Sequence, residues 1–457
     1  MSVPVWVAEL EQVLPPARFT TQPATLEGLA RDQAGTLQAG SPAAAAFPTT
    51  TEEVAALMRL ASRHRVPVVP RGAGTGLAGG ANAVEGCLVV STAGMDRIVE
   101  IDRADLVAMV EPGLLTARLG KAAADAGLSY APDPSSFEIS SIGGNLATNA
   151  GGLRCLKYGA TRESVLALEV VLADGQVLRT GHRSVKGVAG YDLVALFVGS
   201  EGTLGIITGA TLRLRPAPPA AGTLLAAFGE LEAAGMAAGR ILESGLAPSV
   251  LELMDATTVD AIEAARPIGL PAASTLLVVR HEGPERGRDA LARAEELCRE
   301  LGATEVFRST DARESEALMD ARRAALPSLE RQGTTLLEDV AVPLGRVVEL
   351  LREVRRIATG HQVLIGTFGH VGDGNMHPTL VWPRGDSAAR ARAETAATDI
   401  LRVTLALGGT VTGEHGVGLL KRAALADELG DVGVAVTRAI KAALDPAGIM
   451  NPGKLVP

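Results

Sequence analysis

Two histidines flank a Gly-Asp-Gly turn signal in the last third of the chain, and this pattern constrains the local fold most strongly. Asp-Gly is a strong two-residue hairpin signal, because a type I′ turn needs positive φ at both central positions. Apolar runs on both sides predict the two strands of that hairpin. If Asp373 and Gly374 form the turn, His370 lies directly opposite His377, with Cβ atoms roughly 5 Å apart. Two imidazoles at that distance can hold one ion, so the sequence predicts a metal site here.

A carboxylate for the same ion is available at Glu414, which is bracketed by glycines and followed by His415. Asn375 shares the face of His377, because side chains on a strand repeat with period two. Two histidines and a carboxylate form a divalent-cation site with open positions for water or substrate. The alternative is that the histidines are polar side chains at a sheet edge that bind no ligand. Two histidines in register favour a metal site over this alternative.

The composition excludes several functional classes. A chain of 457 residues exceeds what one core supports, which predicts two or three domains. The net charge of −9, without a basic block, argues against nucleic acid or an anionic membrane as the main partner. The three cysteines lack C-x-x-C spacing, so neither a disulfide framework nor an intrachain iron–sulfur cluster is expected. The absence of a signal-peptide pattern and of a long apolar run predicts a cytoplasmic protein.

The periodicity of apolar residues predicts the order of elements. Helices are predicted at 5–14, 49–64 and 116–126, with a capping box formed by Thr50 and Glu53. An Asp-Gly pair at 174–175 predicts a second hairpin, and the composition changes at the proline-rich 215–219. Strands and helices then alternate at 223–228, 230–244, 249–254, 257–266, 274–281, 285–301 and 304–308. This alternation predicts a second, α+β domain, and a helix at 388–406 follows the histidine hairpin.

A glycine-rich loop at 70–81 follows a short predicted strand. It formally contains G-x-G-x-x-G, but no helix pattern follows, so the dinucleotide-binding βαβ unit is not predicted. Glycines still let successive backbone N–H groups form concave nests that bind anions, and Arg71 adds positive charge. The loop therefore predicts a pyrophosphate site, with a flexible surface loop as the alternative. Two further segments of small and hydroxyl residues, 133–152 and 199–208, indicate that this domain binds one large polar ligand.

The chain resembles one known family in the order of its motifs. The motifs are Pro70-Arg-Gly-Ala-Gly-Thr-Gly, Ser-Ile-Gly-Gly-Asn with Asn-Ala-Gly-Gly, Gly-Ser-Glu-Gly-Thr-Leu-Gly-Ile, Gly-His-Val-Gly-Asp-Gly-Asn-Met-His, Thr412-Gly-Glu-His-Gly-Val-Gly and the Asn-Pro-Gly-Lys tail. They resemble the FAD-linked 2-hydroxy-acid dehydrogenases: glycolate oxidase flavin subunits, D-lactate dehydrogenases and D-2-hydroxyglutarate dehydrogenases. These enzymes belong to the vanillyl-alcohol oxidase/p-cresol methylhydroxylase superfamily, and the resemblance covers nearly the whole chain.

The resemblance implies an α+β fold with non-covalent FAD. A two-subdomain FAD-binding domain of the p-cresol methylhydroxylase type would span 1–217, and an α+β substrate domain with an antiparallel sheet would span 218–420. The segment 421–457 would return to the FAD domain. Thr75 stands near the position at which many superfamily members attach FAD through a histidine. The implied FAD-binding residues are Pro70, Arg71, Gly72, Ala73, Gly74, Thr75, Gly76, Leu77, Asp133, Ser136, Ser141, Gly144, Asn145, Thr148, Gly151, Glu201, Gly205, Ile206 and Ile207.

The resemblance also implies site residues outside the FAD domain. It places the metal ligands at His370, His377 and Glu414, with zinc expected and manganese or iron as alternatives. The groups on the substrate side would be Asn375, His415 and Arg322, with Arg323 left open beside Arg322. On a regular strand Glu414 and His415 would point to opposite faces, so the flanking glycines indicate an irregular backbone there.

One departure from the family pattern limits the range of expected substrates. Members that handle 2-hydroxyglutarate carry a lysine shortly before an Asp-x-x-x-Pro stretch. Here Leu336, Leu337 and Glu338 precede Asp339, so a second substrate carboxylate lacks its cation. Glycolate, D-lactate or a hydrophobic 2-hydroxy acid fits better than 2-hydroxyglutarate.

These inferences predict metal-assisted oxidation of a D-2-hydroxy acid to the 2-oxo acid. Arg322 would bind the carboxylate, His415 would act as base, and hydride would pass to FAD. Electrons would leave to an external acceptor: a quinone, cytochrome, electron-transfer flavoprotein, iron–sulfur subunit or oxygen. A homodimer is left open. The alternatives are a flavin subunit of a glycolate oxidase-type complex, a D-2-hydroxyglutarate dehydrogenase, a flavoenzyme for ether-lipid or aromatic substrates, and a metal-dependent hydrolase that binds a phosphorylated substrate.

Overall fold

The computed structural model describes residues 4–283 and 285–456, and the elements below are those of the described residues. The helices are α1 (Val5–Glu9), α2 (Pro23–Leu29), α3 (Thr51–His64), α4 (Thr116–Asp125), α5 (Ile142–Thr148), α6 (Cys155–Tyr158), α7 (Leu193–Phe197), α8 (Leu231–Glu243), α9 (Ala256–Ala265), α10 (Arg286–Glu300), α11 (Ala312–Arg323), α12 (Ala325–Glu330), α13 (Val347–His361), α14 (Ser387–Ala406) and α15 (Arg422–Leu444). The strands are β1 (Phe19–Thr20), β2 (Ala44–Ala46), β3 (Val68–Arg71), β4 (Leu88–Ser91), β5 (Ile98–Asp102), β6 (Val107–Val110), β7 (Leu128–Ser129), β8 (Val165–Val171), β9 (Val177–Gly181), β10 (Ile206–Arg213), β11 (Arg215–Pro216), β12 (Ala221–Phe228), β13 (Val250–Met254), β14 (Thr275–Glu282), β15 (Ala303–Ser309), β16 (Thr334–Leu337), β17 (Val340–Ala341), β18 (Leu364–His370) and β19 (Asn375–Trp382).

Contacts divide the described chain into two compact units. The first comprises the described residues of 1–152, 159–217 and 414–457, and the second comprises those of 153–158 and 218–413. Each unit has its own sheets and its own buried apolar clusters. Among the described residues, no helix combines the length and the apolar composition needed to span a membrane.

The first unit contains two main sheets. One has the strand order β1-β2-β4-β3, in which β2, β4 and β3 are parallel, and α3 buries its apolar face against it. The N-cap of α3 is Thr50, whose side chain accepts a hydrogen bond from the N–H of Glu53 at 3.3 Å, as predicted. The carboxylate of Glu53 bonds to the N–H of Thr49 rather than that of Thr50, so the capping box is shifted by one residue.

The second sheet of this unit is antiparallel, with the order β5-β6-β10-β8-β9. The predicted hairpin at Asp174-Gly175 is confirmed: Val171 pairs with Val177, and Gly175 has a φ of 81°. Helices α4 and α5 contribute to the apolar cluster that covers this sheet.

The C-terminal segment of the first unit adds to its parallel sheet. Val68 in β3 forms a parallel bridge with Met450, and its carbonyl accepts a hydrogen bond from the N–H of Asn451 at 2.8 Å. The side chain of Lys454 is buried and donates to the carbonyl of Asn82 at 2.5 Å. The helix α15 precedes this tail and changes direction at Gly430, whose φ is 62°. It was not predicted, because its two glycines, Gly430 and Gly433, weaken the helical pattern.

The second unit is built on one antiparallel sheet with the order β15-β12-β14-β13-β18-β19-β16, to which β17 adds beside β19. Every strand and helix predicted between 223 and 308 is present, within two residues at each end. The buried cluster of this unit includes Val250, Met254, Val278 and Phe368. An α+β fold with an antiparallel sheet is therefore confirmed.

Candidate functional site

The two histidines of the β18–β19 hairpin lie on one face of the sheet, but not directly opposite each other. His370 pairs with Asn375, and Phe368 pairs with His377. The prediction that His370 faces His377 is therefore wrong. The two residues are instead diagonal neighbours, because positions two apart on a strand share a face. Their ring centroids are 5.2 Å apart with the rings perpendicular, so the imidazoles still come together.

The register differs because the turn is longer than predicted. Four residues, 371–374, connect the strands. The N–H groups of Asp373 and Gly374 both donate to the carbonyl of His370, each at 3.1 Å. The N–H of Gly372 donates to a carbonyl of β13 at 3.2 Å, which fastens the turn to a neighbouring strand. This contact from outside the hairpin favours the four-residue turn over the two-residue type I′ turn.

A buried carboxylate joins one of these histidines to an arginine. Glu252 is fully buried in β13, and its Oε1 lies 2.6 Å from His370 Nδ1. Arg322 Nε donates to the other oxygen of Glu252 at 2.7 Å, and its guanidinium carbon lies 4.7 Å from the ring centroid of Phe368. Burial raises the pKa of Glu252, whereas the contacts with His370 and Arg322 lower it, and the lowering prevails. Each carboxylate oxygen thus has one nitrogen partner within hydrogen-bond distance.

The two neighbouring arginines at the end of α11 have different surroundings. Arg322 is buried beside Glu252. The side chain of Arg323 is 38% exposed and pairs with Glu316 and Asp320 on the same helix. Of the two, Arg322 is the one that shares a carboxylate with His370.

A second buried carboxylate, Asp339, organises the other side of the hairpin. Its Oδ1 accepts a hydrogen bond from Asn375 Nδ2 at 2.7 Å and lies 3.6 Å from His377 Nδ1. Its Oδ2 accepts hydrogen bonds from the hydroxyl of Thr412 at 2.7 Å and from the N–H of Gly413 at 2.9 Å. A Cβ at Gly413 would collide with the amide of Asn375, so glycine is required for this close approach.

Glu414 and His415 follow Gly413 in the chain and belong to the first unit. Their backbone is irregular, as predicted, and Gly416 beside them has a φ of 85°. Glu414 Oε1 lies 3.6 Å from His415 Nε2. Within the same unit, a Cβ at Gly151 would collide with the Glu414 side chain. Gly151 therefore provides the space that this carboxylate occupies.

The glycine-rich loop leaves β3 at Arg71 and contains no helix before β4, as predicted. Arg71 is buried, and burial lowers its pKa, an effect that Asp32 opposes. Gly74 has a φ of 76°, and a Cβ there would collide with the guanidinium of Arg71. The N–H of Ala73 donates to the hydroxyl of Ser141 at 3.1 Å, which ties this loop to a second segment.

The second segment, 133–152, is not only a loop, because it contains α5. The hydroxyl of Ser141 caps this helix by accepting a hydrogen bond from the N–H of Gly144 at 3.3 Å. Asn145 is buried, and its side chain donates to the hydroxyl of Thr116 at 2.7 Å. These polar side chains fasten the segment to the rest of the first unit.

Glu201 fastens the third glycine-rich segment to the C-terminal part of the first unit. Its carboxylate accepts hydrogen bonds from the N–H groups of Val417 at 2.7 Å and Gly418 at 2.8 Å. Burial raises the pKa of Glu201 to about 7, although the two backbone hydrogen bonds oppose the shift. Its carbonyl accepts a hydrogen bond from the side chain of Asn451 at 2.7 Å.

Comparisons with known proteins identify the family. Residues 217–455 match the family model for the C-terminal domain of FAD linked oxidases, and residues 42–181 match an FAD binding domain. The chain belongs to the FAD-linked oxidases. It is 44% identical to the glycolate oxidase subunit GlcD of Bacillus subtilis over 91% of this chain and 89% of the relative. It is 36% identical to a probable mitochondrial D-lactate dehydrogenase of Danio rerio over 90% of this chain and 83% of the relative.

Solved structures confirm the fold of this FAD-linked oxidase. The structure of p-cresol methylhydroxylase with bound substrate aligns with a TM-score of 0.80 at 18% identity, covering 98% of this chain and 96% of that protein. This confirms the prediction of a p-cresol methylhydroxylase-type architecture. The protein is an FAD-dependent oxidoreductase, and the alternative of a non-redox hydrolase is excluded.

The residues of the first unit suit FAD. Among the described residues, Arg71 Nη1 is a buried donor with no hydrogen-bond partner in the protein. A buried unsatisfied donor is costly, and a phosphate oxygen would satisfy it. The other residues predicted to bind FAD lie in the three segments described above or in the adjoining strand β10. They are Pro70, Gly72, Thr75, Gly76, Leu77, Asp133, Ser136, Thr148, Gly205, Ile206 and Ile207.

The residues of the second unit suit a divalent cation. A carboxylate that accepts from His370 Nδ1 leaves the lone pair on Nε2, which is the arrangement of most histidine ligands. His377 provides a second imidazole on the same face. Both are nitrogen donors that suit zinc, manganese or iron.

Glu252 is the site residue that the sequence prediction missed. A signal was available, because Glu252 is the one charged residue in the apolar strand Val250–Met254. Asp339 was noted only as a landmark of the family pattern. In the structure it holds Asn375 and the turn that leads to Glu414.

Proposed function

We propose that this protein oxidises a D-2-hydroxy acid to the corresponding 2-oxo acid, with a divalent cation held by His370, His377 and Glu414. The observation that carries the proposal is the buried pair of histidines, one of which shares Glu252 with a buried arginine. Nitrogen ligands for a cation beside an arginine suit a small ligand with a carboxylate and a neighbouring hydroxyl. Relatives named as glycolate oxidase subunits and D-lactate dehydrogenases support this substrate class.

Each residue has a defined part in this reaction. Arg322 pairs with the substrate carboxylate, and its contact with Phe368 limits the orientations of its guanidinium. Asn375, held by Asp339, bonds to the substrate. His415 accepts the hydroxyl proton, because an imidazole has an unperturbed pKa near 6.5. A cation on His370, His377 and Glu414 would supply a Lewis acid for the substrate hydroxyl, and FAD in the first unit would supply the hydride acceptor.

The proposed substrate has one carboxylate and a small or apolar side chain. No lysine precedes Asp339, and the end of β16 offers Leu336 and Leu337 instead. Glycolate and D-lactate therefore fit better than D-2-hydroxyglutarate, whose second carboxylate needs a positively charged side chain.

The experiment is anaerobic reduction of the FAD-loaded protein. Glycolate, D-lactate, L-lactate and D-2-hydroxyglutarate are added separately, with and without prior chelation, and bleaching of the flavin is followed at 450 nm. Glycolate or D-lactate is expected to bleach the flavin, and chelation is expected to abolish bleaching. No bleaching by any 2-hydroxy acid would overturn the substrate class, and full bleaching after metal removal would overturn the role of the cation.

A second candidate is the flavin subunit of a multi-subunit oxidase. It is favoured by the relative from Bacillus subtilis, which is named as a subunit of glycolate oxidase. The natural acceptor would then be an iron–sulfur subunit rather than a free quinone, cytochrome or electron-transfer flavoprotein. Stopped-flow reduction compared with steady-state turnover on a soluble dye tests it. Fast reduction with slow reoxidation favours the subunit, and fast turnover by the isolated chain favours an independent dehydrogenase.

A further inference from the structure

Glu252 stands where two groups of the proposed site meet. The pairing of Leu253 with Gly369 places Glu252 beside His370 in the next step of the β13–β18 ladder. Its two carboxylate oxygens are divided between His370 Nδ1 and Arg322 Nε. Its neighbours in the strand, Leu251 and Leu253, are buried and apolar. A buried carboxylate in such a strand is stable only because both oxygens receive hydrogen bonds.

We infer that Glu252 is a positioning residue that fixes the tautomer of His370 and the orientation of Arg322 at the same time. The inference rests on the proposed function, in which His370 binds the cation and Arg322 binds the substrate carboxylate. Arg322 can only donate, so it occupies one oxygen of Glu252, and the other oxygen, 2.6 Å from His370 Nδ1, accepts the imidazole proton. The lone pair of His370 then lies on Nε2, where it can bind the cation. One carboxylate thus orients both the metal ligand His370 and the substrate-binding Arg322.

The substitution Glu252→Gln keeps the shape of the side chain, but an amide cannot accept hydrogen bonds from both His370 and Arg322 at its two ends. A glutamine amide has one acceptor end and one donor end, whereas Arg322 can only donate. The amide oxygen must therefore face Arg322, and the NH₂ group must face His370 Nδ1. His370 Nδ1 then has to accept, which moves the imidazole proton to Nε2 and removes the lone pair from the cation side.

The first test is the tautomer of His370, measured by ¹⁵N NMR of histidine-labelled, metal-free protein at pH 8. The His370→Asn variant assigns the resonances. The wild type is expected to carry its proton on Nδ1, and Glu252→Gln is expected to carry it on Nε2. A wild-type proton on Nε2 overturns the inference without reference to the folding of any variant.

The second test is the affinity for Zn²⁺ alone, measured by competition with a chromophoric chelator. Glu252→Gln is expected to bind Zn²⁺ roughly 10–100-fold more weakly, the usual effect of removing the partner of a histidine ligand. In the double variant Glu252→Gln/Arg322→Met the amide is free to turn its oxygen towards His370, so most of the lost affinity should return. A role of Glu252 in folding alone does not predict this recovery.

The matched control is Glu316→Gln, which also removes a carboxylate from a glutamate–arginine pair but lies at the surface of α11. Its Zn²⁺ affinity should equal that of the wild type. If Glu252→Gln keeps wild-type affinity and tautomer, the inference fails while the proposed function stands. If the wild type does not bind Zn²⁺, the proposed zinc site fails, and the NMR result still decides the role of Glu252.

Discussion

Replacing Asp339 by asparagine should destabilise the second unit by an amount that can be worked out from its hydrogen bonds. The carboxylate is fully buried and accepts from Asn375, Thr412 and Gly413. An asparagine amide keeps its oxygen towards the two donors at 412–413 and turns its NH₂ group towards the NH₂ group of Asn375. One hydrogen bond to a charged acceptor is lost, and one N–H of each amide is left unsatisfied, at a cost of about 2–3 kcal/mol.

The assay is differential scanning calorimetry of the wild type, Asp339→Asn and the control Asp320→Asn. For a folding unit of this size, roughly 1 kcal/mol lowers the melting temperature by 2–4 °C, so Asp339→Asn should lower one transition by about 5–10 °C. Asp320 is an exposed partner of Arg323, and its replacement should change the free energy of unfolding by less than about 0.5 kcal/mol. A melting temperature for Asp339→Asn within the error of the wild type would refute the reasoning.

Three further predictions concern the first unit. Burial raises the pKa of Glu201 to about 7 from 4.5. The raised pKa stabilises the folded state below pH 4.5, and this stabilisation is lost as the pH rises through 7. The free energy of unfolding should therefore fall by about 3 kcal/mol over that range. Glu201→Gln should flatten the dependence of the free energy of unfolding on pH in that window, and an unchanged slope in urea titrations would contradict the assignment. Gly74→Ala should release FAD, seen as a lower ratio of absorbance at 450 to 280 nm, whereas Gly86→Ala, with a similar positive φ but open space, should retain it. Gly151→Ala should displace Glu414 and weaken Zn²⁺ binding, and an unchanged dissociation constant would count against Glu414 as a ligand.

The elements from β12 to β15 in the second unit were predictable because their signals are local. Alternating strands and helices from 223 to 308 follow from apolar periodicity within each segment. The register of the histidine hairpin was not predictable, because the N–H of Gly372 bonds to β13, far away in sequence. The helix α5 was missed because Gly143 and Gly144 lower its intrinsic helix propensity, and a cap at Ser141 stabilises it instead.

In the candidate site too, residues with local sequence signals were predicted, and residues that depend on contacts distant in sequence were not. The histidines were found because they flank a turn signal that the sequence displays directly. Glu252 was missed because its partners lie 70 and 118 positions away, at Arg322 and His370, and only the strand order of the sheet brings them together. A buried acid in an apolar strand signals a partner, but the sequence does not say which residue it is.

Two buried carboxylates of the second unit, Glu252 and Asp339, are better explained by positioning than by stability. Each removes a charge from water, a cost that its hydrogen bonds offset but do not exceed by much. Apolar replacement of a buried ion pair is often neutral or stabilising, so stability alone does not account for the charges. Glu252 links His370 to Arg322, and Asp339 links Asn375 to the turn that precedes Glu414. Each acid therefore joins a residue of the hairpin to a group from another element, so a shift of either acid moves two parts of the proposed site together.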